Sequence, residues 1–424
     1  MTALGIKYAR APRFAKPIPI ESWSATGSFG PSAPQPERPI GLFVFGEPGP
    51  AEEECLYLNV WGPGGDRKPV ILFIHGGGFT VGSGSAGISN GARLARAADA
   101  VVVTINYRLG SLGWLFHPDL GGGNWGLFDQ RAALEWVRDN IAAFGGDPTR
   151  VTVMGQSAGA LSILDLLSMP GADGLFSRAI IQSPPMADAA HEPEFGIRWA
   201  EALCERIDPR SAPADVVVAA HEALLTNDAW RGTRGGALPM RDPLSIPNAP
   251  WEAPGARPEV DVLVGTTADE GAFFFRAAGR NLEPDDDELR RIVDHLPGID
   301  DAAATIAANA GGSNGDVLVR IATTAMVERP TAEWAAARAD AGGRVYRYRV
   351  EHRSPEPGFG ALHTIDVPLV FGSFADDSIA AAMCGDDDAA RAVSVAMQSA
   401  VRAFVHDGAP GWAPLPHGAP AVFA

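Results

Sequence analysis

The stretch VTVMGQSAG, residues 151–159, decides the reading of this chain. Val151 to Met154 is a short apolar run of the kind buried on both faces of a parallel sheet. Gly155-Gln156-Ser157-Ala158-Gly159 follows at once, and a helical segment begins near Ala158. A serine placed between two such glycines, after a buried strand and before a helix, sits on a turn too sharp for an ordinary backbone conformation. The glycines are needed because side chains there would collide with neighbouring chain. The turn lifts the serine hydroxyl to the carboxyl end of the sheet and leaves the first helical amides free to face an anion. Ser157 is therefore the candidate nucleophile.

Upstream, His75-Gly76-Gly77-Gly78-Phe79 follows a second buried run, Val70 to Ile74 (VILFI). Three consecutive glycines let backbone N–H groups turn toward one point with no side chain in the way. The amides of Gly77, Gly78 and Ala158 are the expected donors to a developing oxyanion. Gly82 to Gly87 (GSGSAG) matches the dinucleotide pattern GxGxxG. That fingerprint requires its first glycine directly after the strand, which here ends at Ile74, so the segment reads as a loop.

Further strands are expected over Leu56–Trp61, Val101–Ile105, Ala179–Gln182, Val260–Val264 and Val345–Val350. Helices are expected over Asn90–Ala98 and Leu127–Ile141, the latter with Leu127, Leu134, Val137 and Ile141 on one face. Strands alternating with helices make a mostly parallel central sheet flanked by helices on both faces. Residues 1–50, rich in Pro and Gly, read as irregular chain with one or two short strands. Helical excursions are expected at about 189–235 and 277–340, the second opening on the charge run EPDDDELRR, a solvated helix start. No repeat or boundary divides the chain, so residues 1–424 read as a single domain.

A serine hydroxyl needs a base to take its proton and an acid to orient that base, in the chain order Ser, Asp or Glu, His. The strand VDVLV is followed by Gly265-Thr266-Thr267-Ala268-Asp269-Glu270, and spacing does not choose between the two acids. The later histidines are His295, His352, His363, His406 and His417. His363, between the loop GFGAL and the apolar segment IDVPLVFG, is favoured, with His352 the second candidate.

The chain of 424 residues is 46% hydrophobic and 20% charged, ordinary for a globular protein, with a mean hydropathy of +0.01. Its 34 Lys and Arg against 51 Asp and Glu leave a net charge of -17. That charge builds no basic face for nucleic acid and is repelled by an anionic membrane surface. The opening MTALGIKYARAPRF has no apolar core with a small-residue cleavage site, and no apolar run is long enough to span a bilayer. Cys55, Cys204 and Cys384 are too far apart in sequence to suggest a zinc site. A cytoplasmic chain with reduced thiols is expected, and neither a metal nor an organic cofactor.

These segments carry a resemblance. GIKYARAPRF, EEECLYLNVW, HGGGF, INYRLGSLGW, the block GNWGLFDQRAALEWVRDNIAAFGGDPTRVTVMGQSAG, VGTTADEGAFFF, ALHTIDVPLVFG and the tail GAPGWAPLP are similar to the type-B carboxylesterases, the α/β-hydrolase group that includes the cholinesterases. The resemblance implies hydrolysis of small-molecule carboxylic esters through an acyl-enzyme. It implies Ser157 as nucleophile, Glu270 as acid, His363 as base, and Gly77, Gly78 and Ala158 as oxyanion donors. The same triad serves amide, carbamate and lactone bonds. Members that use the scaffold for adhesion instead typically lose a triad residue, and all three stand here. Several positions depart from the pattern. Gln156 stands where the family usually has Glu, which removes a negative charge beside the serine and argues against selection of cationic substrates. Cys55 matches half of a disulfide of secreted members, with no cysteine before it. The chain also begins almost at GIKYA and is short for the family, which implies trimmed excursions and a more open site.

Overall fold

The computed structural model describes residues 1–46, 49–186, 191–226, 236, 238–277 and 283–424. The predicted apolar runs pair with one another. VILFI lies within β5 (Lys68–Ile74), bonded in parallel to β6 (Val101–Ile105) on one side and to β7 (Gly146–Gln156) on the other. Along β5, Val70, Leu72 and Ile74 enter one core, while Ile71 and Phe73 enter the other. This is the period-two division of a sheet covered on both faces. Among the described residues nine strands make up the sheet, in the order β1-β4-β6-β5-β7-β8-β9-β10-β11. The remaining members are β1 (Thr2–Lys7), β4 (Tyr57–Trp61), β8 (Arg178–Gln182), β9 (Asp261–Thr267), β10 (Val345–Val350) and β11 (Ala421–Phe423). Within this sheet, among the described residues, only the β1–β4 and β4–β6 pairs are antiparallel. The mostly parallel sheet expected from the sequence is present.

One face is covered by α4 (Trp125–Asn140) and α5 (Ala158–Ser168), the other by α2 (Gly91–Ala98), α13 (Asp366–Phe371) and α15 (Asp388–Asp407). The predicted stripe Leu127, Leu134, Val137 and Ile141 is buried, and α4 starts a little earlier than expected. At the head of α4, Asp129 takes three hydrogen bonds from Arg108, at 2.7 to 3.0 Å, with both side chains buried. Removing one partner would leave an uncompensated buried charge, a loss of about 3–5 kcal/mol.

The first fifty residues hold more structure than expected. They form β1, the short pair β2 (Ala9–Arg10) and β3 (Ile18–Pro19), and helix α1 (Pro39–Phe45). The strand β1 was hard to read because a bulge between Ala3 and Ile6 breaks its alternation, with Gly5 at φ 66°. The opening of α1 is compatible with its proline, which needs no N–H partner in the first turn.

The first excursion contains α6 (Pro193–Cys204) and α7 (Ala214–Leu225), with α3 (Gly110–Trp114) packed against α7. The second runs from α8 (Glu270–Ala277) through α9 (Asp286–Asp294), α10 (Ala302–Ala308), α11 (Asn314–Thr323) and α12 (Arg329–Asp340), with a small apolar core of its own. The charge run EPDDDELRR does open α9, whose first turn is capped by Asp285. Parts of both expected excursions, 189–190, 227–235 and 278–282, lie outside the described residues. Helix α14 (Ser378–Cys384) completes the α-helices among the described residues, and no helix there is long and apolar enough to cross a membrane.

Asp165, on α5, is fully buried, and among the described residues neither carboxyl oxygen has a hydrogen-bond partner. Burial holds its carboxyl well above the usual carboxylate range. The folded state therefore keeps this proton to higher pH than the unfolded chain. The side chain's charge costs nothing below about pH 4, where both states are protonated, and destabilises the fold increasingly above that. Asp165→Asn is expected to raise the melting temperature at pH 8 and to leave it near the parent's at pH 4. Thermal denaturation at the two pH values checks this; an equal gain at both would contradict the titration.

Candidate active site

Strand β7 ends at Gln156 and α5 starts at Ala158, so one residue makes the whole turn. That residue, Ser157, lies at φ 56°, ψ -119°, a conformation costing about 1–3 kcal/mol that the surroundings must hold in place. Two glycines make room for it. A Cβ on Gly155 would lie 2.6 Å from the carbonyl oxygen of Gly159, and one on Gly159 would lie 2.1 Å from that of Ile74. The Ser157 N–H bonds to the carbonyl of Gln182 at 2.9 Å, which fastens the turn to β8. Ser157 is 7% exposed.

The HGGGF loop meets this turn directly, because a Cβ on Gly76 would come within 3.1 Å of the Ser157 Cβ. Gly77 and Gly78 take φ of 108° and 61°. A peptide unit is planar and trans, so fixing one carbonyl aims the N–H of the next residue the opposite way. The Gly76 carbonyl accepts from His75 Nδ1 at 2.7 Å, which orients the Gly77 amide. Burial pushes His75 down to about 4, so the ring stays neutral; it stacks on Tyr107 with centroids 4.4 Å apart. The Gly77 carbonyl accepts from the amides of Thr80 and Val81, each at 3.1 Å, which orients the Gly78 amide. Among the described residues, the amides of Gly77, Gly78 and Ala158 have no protein acceptor. They are donors available to an anion.

The two adjacent acids part company in three dimensions. Asp269 binds the loop that precedes His363: its carboxylate accepts from Ala361 N at 2.8 Å and from Arg353 at 3.0 Å. Glu270, at the start of α8, turns inward. Its Oε1 accepts from Thr267 N at 2.7 Å and its Oε2 lies 2.5 Å from His363 Nδ1. Both side chains of this pair are at most 1% exposed. A carboxylate only accepts, so Nδ1 carries the ring proton and Nε2 presents its lone pair. Gln156 Nε2 lies 3.1 Å from His363 Nε2 and donates to it, so the neutral amide at this position touches the ring's free nitrogen. His352 lies elsewhere, bonded to the Cys384 carbonyl at 2.8 Å; His295 and His406 bond the carbonyls of Arg291 and Ala98.

Several neighbours were not among the expected site residues. Phe273 and Phe274 flank the His363 ring, with centroids 5.2 and 4.8 Å away. Asp366, buried three residues beyond His363, accepts from Gln182 at 2.9 Å and from Tyr348 at 3.2 Å. Burial, with the nearby Glu270 charge, pushes its carboxyl up to about 6. The i+3 spacing in HTID is the one clue that could have found it. Cys55, Cys204 and Cys384 are free thiols.

Residues 2–417 match the model of the carboxylesterase family. A probable N-octanoylanthranilate hydrolase of Rhodococcus erythropolis is 38% identical over 388 residues, covering 87% of this chain and 80% of that protein. The para-nitrobenzyl esterase of Bacillus subtilis (strain 168) is 34% identical over 435 residues, covering 96% and 86%. A solved carboxylesterase of Geobacillus stearothermophilus superposes with a TM-score of 0.84 at 32% identity, covering 100% of this chain and 92% of that one. The architecture is the α/β-hydrolase fold.

The two loop glycines should tolerate a methyl group differently. A Cβ on Gly77 would lie 2.0 Å from the Val81 carbonyl oxygen, whereas one on Gly78 meets nothing within 4 Å. Both glycines hold positive φ, so either substitution is strained; Gly77→Ala, which adds the clash, is expected to lower kcat on p-nitrophenyl acetate by on the order of 100-fold, and Gly78→Ala by clearly less. Equal losses in the two variants would show that loop shape is not what supports turnover.

Proposed function

This chain belongs to the carboxylesterase family and is a carboxylic ester hydrolase; we propose that Ser157 is its nucleophile, His363 its base and Glu270 the acid that orients the base. The buried Glu270–His363 pair carries this reading, since it leaves Nε2 as a basic nitrogen beside the serine turn. His363 takes the Ser157 proton as the oxygen attacks the ester carbonyl. The tetrahedral oxyanion is held by the amides of Gly77, Gly78 and Ala158, and Glu270 stabilises the imidazolium. His363 then protonates the leaving alcohol. Water repeats the cycle on the acyl-enzyme.

Ser157 Oγ must displace or share the Gln156 contact at Nε2, and the neutral amide adds no charge for a cationic substrate to find. A small-molecule ester suits a serine exposed by 7%. The similarity to an N-octanoylanthranilate hydrolase supports a second reading, the same triad acting on an N-acyl bond. The free thiols support a reducing, cytoplasmic compartment, and the one large sheet, from β1 to β11, supports reading the chain as a single domain.

A fluorophosphonate label should fall on Ser157, one per chain, and Ser157→Ala should abolish both the label and turnover of p-nitrophenyl acetate. Glu270→Gln is expected to keep the label site but to lower kcat by about 10⁴-fold, the loss seen when a triad acid is neutralised. An unchanged rate in either variant would sink the assignment. Esters and anilides of one acyl chain, compared side by side, separate the two bond types.

A further inference from the structure

The carbonyl that orients the Gly78 amide is also reached from outside the loop. Besides the two backbone amides, the Gly77 oxygen faces Thr80 Oγ1 at 3.4 Å. That hydroxyl lies 3.4 Å from Arg38 Nη1, and Arg38 places its other two nitrogens on the Glu222 carboxylate at 3.1 and 2.5 Å. Glu222 belongs to α7, in the first excursion. Three residues before Arg38, Gln35 grips the far end of the loop, accepting from Gly82 N at 2.8 Å and donating to Gly82 O at 3.0 Å.

The residue before Glu222 makes a second tie. His221 Nδ1 lies 2.8 Å from Ser111 Oγ on α3, and the first amide of α3, Gly110 N, bonds to Phe79 O at 2.8 Å. Two consecutive residues of α7 thus hold two separate segments, each bonded into the HGGGFT loop. The Arg38–Glu222 pair is about one-third exposed on both sides, and such pairs add little to stability. Its geometry, two hydrogen bonds from a planar guanidinium, is suited to fixing direction.

We propose that Arg38 and Glu222 are positioning residues for the oxyanion donors, so that the docking of α7 sets the direction of the Gly78 amide through Arg38, Thr80 and the Gly77 carbonyl. The inference rests on the reading of Gly77 and Gly78 as oxyanion donors. It makes the first excursion part of the catalytic machinery's support.

Arg38→Met and Glu222→Gln test it in the full-length enzyme. Each is expected to lower kcat on p-nitrophenyl acetate by on the order of tenfold with KM within about twofold, the signature of a loss confined to the transition state. Affinity for a trifluoromethyl ketone, whose adduct with Ser157 carries the oxyanion, should fall by the same factor. The double variant should be no worse than either single one, and Glu222→Asp should recover part of the rate. Parent-like kcat in both variants, independent additive losses, or a kcat loss without a matching loss of ketone affinity would overturn the coupling. Labelling of the parent on Ser157 is scored separately. An unlabelled parent overturns the triad and this proposal with it; a labelled parent with unaffected variants overturns the coupling alone.

Discussion

Much of this structure follows from keeping one residue in a conformation that it does not favour. Ser157 stands at positive φ between a strand and a helix that touch each other, with no residue to spare on either side. The strain is tolerable because β7 is paired on both edges and α5 is buried along most of its length. Neither element can relax without breaking the sheet or opening the core. Gly155 and Gly159 are the local condition for this arrangement, and β5 is the wider one, since its last carbonyl passes within contact of Gly159.

The polar groups around the serine are organised by the same closeness. Each expected oxyanion amide is aimed through the carbonyl on the far side of its own peptide bond, held by His75 for Gly77 and by Thr80 and Val81 for Gly78. The Ala158 amide is aimed by the helix, through the bond from Leu161 N to the Ser157 carbonyl. None of these donors carries a net charge. The titratable groups sit one layer back, in the Glu270–His363 pair and in Asp366 close to it, where burial makes their interactions strong. A protein with a net charge of -17 thus surrounds its serine with neutral donors, the Gln156 amide among them.

Legibility in the sequence tracked how local each cause was. The strands VILFI, VVVTI and VTVM were readable because burial on both faces demands unbroken apolar runs. The helix over 127–141 was readable because its one buried stripe has the 3.6-residue period. The strand β1 was obscured by its bulge. Helix α1 lies in a stretch dominated by Pro and Gly, which masks its short apolar run. The choice between Asp269 and Glu270 was closed to spacing, since adjacent acids have equal reach along the chain. Only the path of the loop at 353–363 separates them: it runs alongside Asp269 and so leaves Glu270 to face the ring.

By itself the sequence determined the serine turn, the glycine loop beside it and the alternation that builds the sheet. Each of these depends on backbone freedom and burial within a few residues. The tertiary structure decided what spacing left open and the resemblance only implied, that Glu270 meets His363, and it seated Asp366 close to them. It also tied α7 to the glycine loop through Arg38. Those relations join residues 93, 96 and 184 positions apart. Distances of that kind are set by strand order and by the routes of the connections between strands, which no local pattern of residues encodes.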